Sequence, residues 1–230
     1  MIGFLSNASF FAVFACMGLY FAGMAIQRRF PHPLLNPMLL SMTVIVVFLV
    51  ASGMDYRVFQ EGAQPLSFLL TPATVALAIP LYQQLDKLKQ NWQAIIAGIS
   101  AGVVASGTSI FLMCALLGMN HAEYVSILPK SITTAIGMVL SEELGGYPSI
   151  TVGMIIVAGL SGNIFGEQML RLMRIDDPIA RGIGMGSASH AFGTTRAITM
   201  GEVEGAMSGL STAVSGLITV VAVQAFVSLL

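Results

Sequence analysis

The chain has 230 residues, 56% of them hydrophobic and only 9% charged. About a quarter of the residues of a soluble domain carry charge, so this composition excludes a water-soluble globule and points to an all-α, polytopic membrane protein. A formal net charge of −1 leaves no basic footprint for nucleic acid.

Apolar runs long enough to span a bilayer are expected at Ser6–Ile26, Leu34–Ser52, Leu66–Leu85, Trp92–Leu117, Ser149–Met173 and Gly205–Leu229. The first lacks a basic leading region and a small-x-small cleavage site, so it reads as a retained helix rather than a signal peptide. Cys16 and Cys114 each sit inside an apolar run, without zinc or redox spacing, and read as buried small hydrophobes. Two further segments, Tyr124–Leu144 and Gly182–Met200, are apolar but interrupted by polar residues. The expected architecture is a single domain over residues 1–230. It has six to seven full transmembrane helices and one or two broken or re-entrant segments.

Basic residues favour the cytoplasmic side of a membrane. Arg28 and Arg29 follow the first run, and Lys87 and Lys89 precede the fourth, which puts the N-terminus and the Asn120–Glu123 region outside. Arg171, Arg174 and Arg181 mark a further basic loop. That loop is cytoplasmic if Tyr124–Leu144 dips in and returns, and external if it crosses. Pro129 and Gly145–Gly146 supply break points for a re-entrant path, which the charge pattern favours over a plain span. "TPATVALAIPL" (Thr71–Leu81) can be laid on "LPKSITTAIGM" (Leu128–Met138), which suggests an internal repeat of interrupted helices. Chance similarity between two proline-bearing apolar segments explains the match equally well.

The polar interruptions are where chemistry is expected. "SILPKSITT" places Pro129, Lys130, Ser131, Thr133 and Thr134 in an apolar setting. Proline removes a helix hydrogen bond, and an intramembrane lysine costs a few kcal/mol or more. An ion pair of Lys130 with Glu142, Glu143 or Glu202 is the structural alternative to a ligand. "GMGSASHAFGTTRA" holds Ser187, Ser189, His190, Gly193, Thr194 and Arg196. Glycines let the backbone leave helical geometry, and half-helix starts attract anions. Against this, Arg196 at a boundary would snorkel, His190 would pack, and the hydroxyls would bond neighbouring turns. "HPLLNPMLL" offers Asn36 as a third break, or as a helix N-terminus with Pro37 in the first turn. Lys130 and Arg196 together with hydroxyls and free amides suit a small carboxylate. No metal or cofactor motif and no catalytic constellation is visible, so neither a cofactor nor an enzymatic activity is expected.

"PLLNPMLL", "TPATVALAIPLY", "SILPKSITT", "GMGSASHAFGTTRA" and "EVEGAMSGL" come in the order of one known family. On these pieces the chain resembles the LrgB/CidB membrane proteins, which are related to the plant plastidial glycolate/glycerate translocator. The chain departs at Ala135, where many members have proline. The resemblance implies two roles. One is transport of small monocarboxylates of the glycolate, glycerate, pyruvate or lactate class. The other is antiholin-like regulation of murein hydrolase export and cell lysis, with a holin-like LrgA/CidA partner. The residues themselves favour transport. A homo-oligomer (a dimer) in the bacterial inner membrane is the expected setting, though no residue pattern specifies the oligomer.

Overall fold

Helices occupy the apolar runs and stop where Asn, Asp, Gly and Pro intervene. The computed structural model describes residues 10–30, 35–76, 82 and 85–230, which form ten helices and no strand. The chain divides into two compact units, residues 1–76 and 77–230.

In the first unit α1 (Phe11–Arg29) packs on α2 (Pro37–Ser52), followed by α3 (Tyr56–Gly62) and α4 (Gln64–Ala76). A Cβ added at Gly23 would lie 2.9 Å from Pro37 Cα, and the Phe11 and Phe48 rings are 5.7 Å apart, so α1 and α2 run antiparallel. Asn36 Oδ1 accepts from the Met38 amide at 2.9 Å, and Pro37 occupies the first turn. Asn36 is therefore the N-cap of α2, the plainer of its two expected roles.

The second unit contains α5 (Leu85–Leu117), α6 (His121–Ile127), α7 (Thr134–Glu143), α8 (Pro148–Leu172), α9 (Pro178–Met200) and α10 (Glu202–Val227). α5 and α10 run parallel. Ile95 and Ile99 pack on Ala206 and Met207 at one end, and Ile110 and Cys114 join Val223 at the other. α8 runs the opposite way, with Leu170 beside both arms of α9 and Thr151 beside α6.

Among the described residues, four helices are long and apolar enough to cross a membrane: Phe11–Arg29, Lys89–Leu117, Pro148–Leu172 and Glu202–Val227. The second expected span is the shorter apolar helix α2, of 16 residues. The expected span Leu66–Leu85 starts on α4 and continues into residues outside those described, as does the proposed Thr71–Leu81 repeat. Neither interrupted segment crosses the unit. Both fold back on themselves.

Candidate functional site: two hairpins and a half-buried lysine

An Asn120–Glu123 capping box starts α6: Asn120 Oδ1 accepts from the Glu123 amide at 3.0 Å, and Glu123 Oε2 from the Asn120 amide at 2.9 Å. Pro129 lacks an N–H and ends the helix, and Thr133 is the N-cap of α7. On one straight helix Ser126 and Ser141 would be about 22 Å apart. Instead Thr151 Oγ1 lies 2.8 Å from the Ser126 carbonyl and 2.7 Å from Ser141 Oγ, and the Tyr147 amide donates to Ser126 Oγ at 2.7 Å. These three hydroxyl residues are fully buried and join the two ends of a hairpin.

The tip of this hairpin carries Lys130. Its ammonium donates to Ser131 Oγ at 3.1 Å and to Ser106 Oγ at 3.4 Å, and the two hydroxyls are 3.2 Å apart. Ser106 stands about 16 Å along α5 from its end at Leu117. No described carboxylate pairs with Lys130, so the ion pair with Glu142, Glu143 or Glu202 is not formed.

α9 reverses direction at Ser189 (φ −135°, ψ 16°) and His190 (φ 40°, ψ −134°). Its arms lie against each other. A Cβ at Gly193 would fall 2.2 Å from the Met185 carbonyl oxygen, which is why glycine is required there. Arg181 on the first arm and Arg196 on the second reach the same carboxylate, Glu167 of α8, at 4.0 and 2.5 Å. On a straight helix those arginines would be about 22 Å apart.

The tip of this second hairpin is pressed against α8. Ser189 sits over Gly162, where a Cβ would fall 1.6 Å from its Oγ. His190 is buried, its Nε2 is 3.0 Å from the Ile155 carbonyl, and its ring packs edge-on to Phe192 at 5.5 Å. Thr194 Oγ1 donates to the His190 carbonyl at 3.0 Å and also bonds Ser208 of α10 at 2.9 Å. Asn163 Nδ2 donates to the Phe192 carbonyl at 2.6 Å and to Thr195 Oγ1 at 2.9 Å.

The two polar patches meet at one small cavity. Ser106 of α5, Ser131 of the first hairpin, Ser187 of the second and Thr219 of α10 line it, among Val103, Leu128, Val223 and Phe226. Its volume of about 20 Å³ holds one water. Lys130 reaches this cavity through Ser106 and Ser131. Of the other expected residues, Pro129 breaks the chain beside it, and Thr133 and Thr134 begin α7. Ser189, His190, Gly193 and Thr194 build the second hairpin and are absent from the lining. Arg196 is at the charged end, held by Glu167. Asn36 belongs to the first unit.

Sequence reasoning missed Ser106, Thr219 and Glu167. A signal for the first two exists: Gly98, Gly102 and Ser106 recur every four residues on α5, and Ser208, Thr212, Ser215 and Thr219 follow one face of α10. Glu167 shows locally only its i,i+4 pair with Arg171, and its link to Arg196, 29 positions away, has no local signal.

Long apolar helices packed on two polar hairpins, with a half-buried ammonium held by hydroxyls, define a multi-pass helical membrane protein. The chain belongs to the LrgB-like family, whose model matches residues 16–229. It is similar to "Antiholin-like protein LrgB" of Bacillus cereus (strain B4264), at 38% identity over 193 residues and 84% of each chain. The protein of the same name from Bacillus anthracis (strain A0248) matches with the same identity and coverage. No solved structure matches the chain.

Proposed function

We propose that this chain acts as an antiholin-like protein of the plasma membrane, regulating murein hydrolase export and lysis together with a holin-like partner. The observation that carries this reading is the 38% identity, over 84% of both chains, to proteins that bear the antiholin-like name. The test compares cells lacking the chain with cells in which it is restored. Extracellular murein hydrolase activity and the rate of lysis should rise without it and fall on restoration. Unchanged values in both strains overturn the reading.

A second reading is transport of a small monocarboxylate of the glycolate, glycerate, pyruvate or lactate class. Lys130 favours it. An ammonium with only hydroxyl partners is expensive at this depth, and a lysis regulator needs none there. A carboxylate ligand would supply the missing charge, and the hydroxyls of Ser106, Ser131 and Ser187 match its hydroxyl or keto oxygen. In this reading both hairpins are re-entrant, with their tips near the bilayer midplane. Uptake of labelled glycolate or pyruvate by proteoliposomes of the pure chain tests it. No uptake of either acid overturns transport, and full uptake by Lys130→Met removes Lys130 from the site.

A further inference from the structure

The hairpins enter the second unit from opposite ends and meet on one face of α5. Along that face a Cβ at Gly98 would lie 3.7 Å from Ile183 Cγ2, and one at Gly102 would lie 3.4 Å from Ser187 Oγ. One turn further on, Ser106 meets Lys130 and Ser131. The first arm of α9 therefore climbs α5 from its Lys89 end, while the first hairpin descends from its Leu117 end. α5 and α8 run in opposite directions, and each is followed by a hairpin hung from the end where that helix finishes. The pair formed by α5 and the first hairpin is thus repeated upside down by α8 and the second hairpin. Paired elements of inverted topology around a midplane site are the architecture of two-sided access.

We propose that the two hairpins are opposed gates on one small-anion site, so that the cavity at Ser106, Ser131 and Ser187 opens to one face of the membrane or the other but never to both. The proposal rests on the transport reading. The cavity of about 20 Å³ admits a water and no three-carbon acid, so loading requires one hairpin to withdraw from α5. Beside the apolar packing of Ile110 with Leu128 and Ile132 and of Ile99 with Ile183, the polar contacts to be broken are few. The first hairpin's polar contacts to α5 are the Lys130 and Ser131 bonds to Ser106, and Ser187 meets only a glycine there. The roots are held more firmly, by the Ser126–Ser141–Thr151 hydroxyls on one side and by Glu167 with Arg181 and Arg196 on the other. Roots fixed by polar links, with few polar links from the tips to α5, leave the seam between tip and α5 as the place to open. His190, at φ 40°, stores strain of the kind that marks moving elements at the second tip.

The test reads access. With Cys16→Ala and Cys114→Ala as background, Ser131→Cys is the reporter for a membrane-impermeant thiol reagent, applied to right-side-out and inverted vesicles. It should be labelled from both faces. Gly102→Cys with Ser187→Cys then locks the second hairpin: a Cβ at 102 lies 3.8 Å from Ser187 Cβ, the separation normal for a disulfide. With the disulfide closed and identified by its peptide, labelling from the face of Asp177 and Gly201 should be lost and labelling from the opposite face kept. Reductant should restore both.

Persistent labelling from both faces with the lock closed would mean an open pore and overturn the gates. Labelling from one face or neither without the lock would mean a static structure and do the same, as would failure of the disulfide to form. Because the assay needs no uptake, a chain that passes it yet moves neither glycolate nor pyruvate overturns the transport reading and leaves the gates. Uptake with access unaffected by the lock does the reverse.

Discussion

Lys130 and Gly162 show how much single positions decide. Lys130 has hydroxyl partners and no carboxylate, so its charge costs desolvation that nothing described returns. Lys130→Met keeps the length and removes that cost, so the variant should unfold in detergent at the same or a higher temperature. A lower melting temperature would mean that the lysine holds the fold. Gly162 is a steric case, because a Cβ there would fall 1.6 Å from Ser189 Oγ, whereas one at Gly153 on the same helix meets nothing within 4 Å. Overpacking of this kind costs about 1–3 kcal/mol, and alanine is favoured over glycine in a helix by about 1 kcal/mol. Gly162→Ala should therefore lower the melting temperature and Gly153→Ala hold or raise it; equal effects would mean that the second tip does not rest on α8. Lys130 was legible in the sequence because a proline–lysine pair breaks an otherwise apolar run. Ser106 and Thr219 were harder to single out: each belongs to a stripe of small or hydroxyl residues on its helix, and such hydroxyls ordinarily bond the preceding turn.

Between elements the two hairpins differ in how they announce themselves. The first was readable from Pro129 and the glycine pair, which cannot continue a helix, together with the charge pattern. The second was not. Its reversal at Ser189–His190 uses neither proline nor glycine at the turn, and both arms keep helical composition. What fixes it is distant: Gly159 and Gly162 leave room for the tip, and Glu167 draws both arms together. For the same reason Arg196 reads as a ligand in the sequence and proves to be an ion-pair partner in the structure. Glu167 is 14% exposed, while the side chain of Arg171, which also pairs with it, is 73% exposed. Exposed pairs contribute about 0–1 kcal/mol, so Arg171→Ala should leave the melting temperature nearly unchanged. Glu167→Gln leaves Arg196 without its anion and Arg181 with Glu204 alone, at 3.9 Å, and should lower it clearly. Equal small effects would mean that the arms are held by packing with α10 alone.

Over the second unit as a whole, charge and direction agree. Lys89, Arg171, Arg174, Arg181 and Arg196 all belong to the end where α5 begins and α9 has both its roots. The opposite end carries His121, Glu123, Glu142 and Glu143, and between Leu117 and Pro148 the only Lys or Arg is Lys130 at the hairpin tip. Basic ends stay in the cytoplasm, so both roots of the second hairpin should face inward and both roots of the first outward. Exposed positions test this without disturbing the tight contacts. Cysteines at His121 and Glu143 should react with an impermeant thiol reagent from outside the cell. Cysteines at Asp176 and Glu202 should react only when the cytoplasmic face is exposed. If His121 and Glu143 label from opposite sides, α6 and α7 together cross the membrane, and the Ser126–Thr151–Ser141 bonds that close the first hairpin do not exist in the bilayer. If Asp176 and Glu202 part in the same way, α9 is a true span, and Arg181 and Arg196 cannot share Glu167.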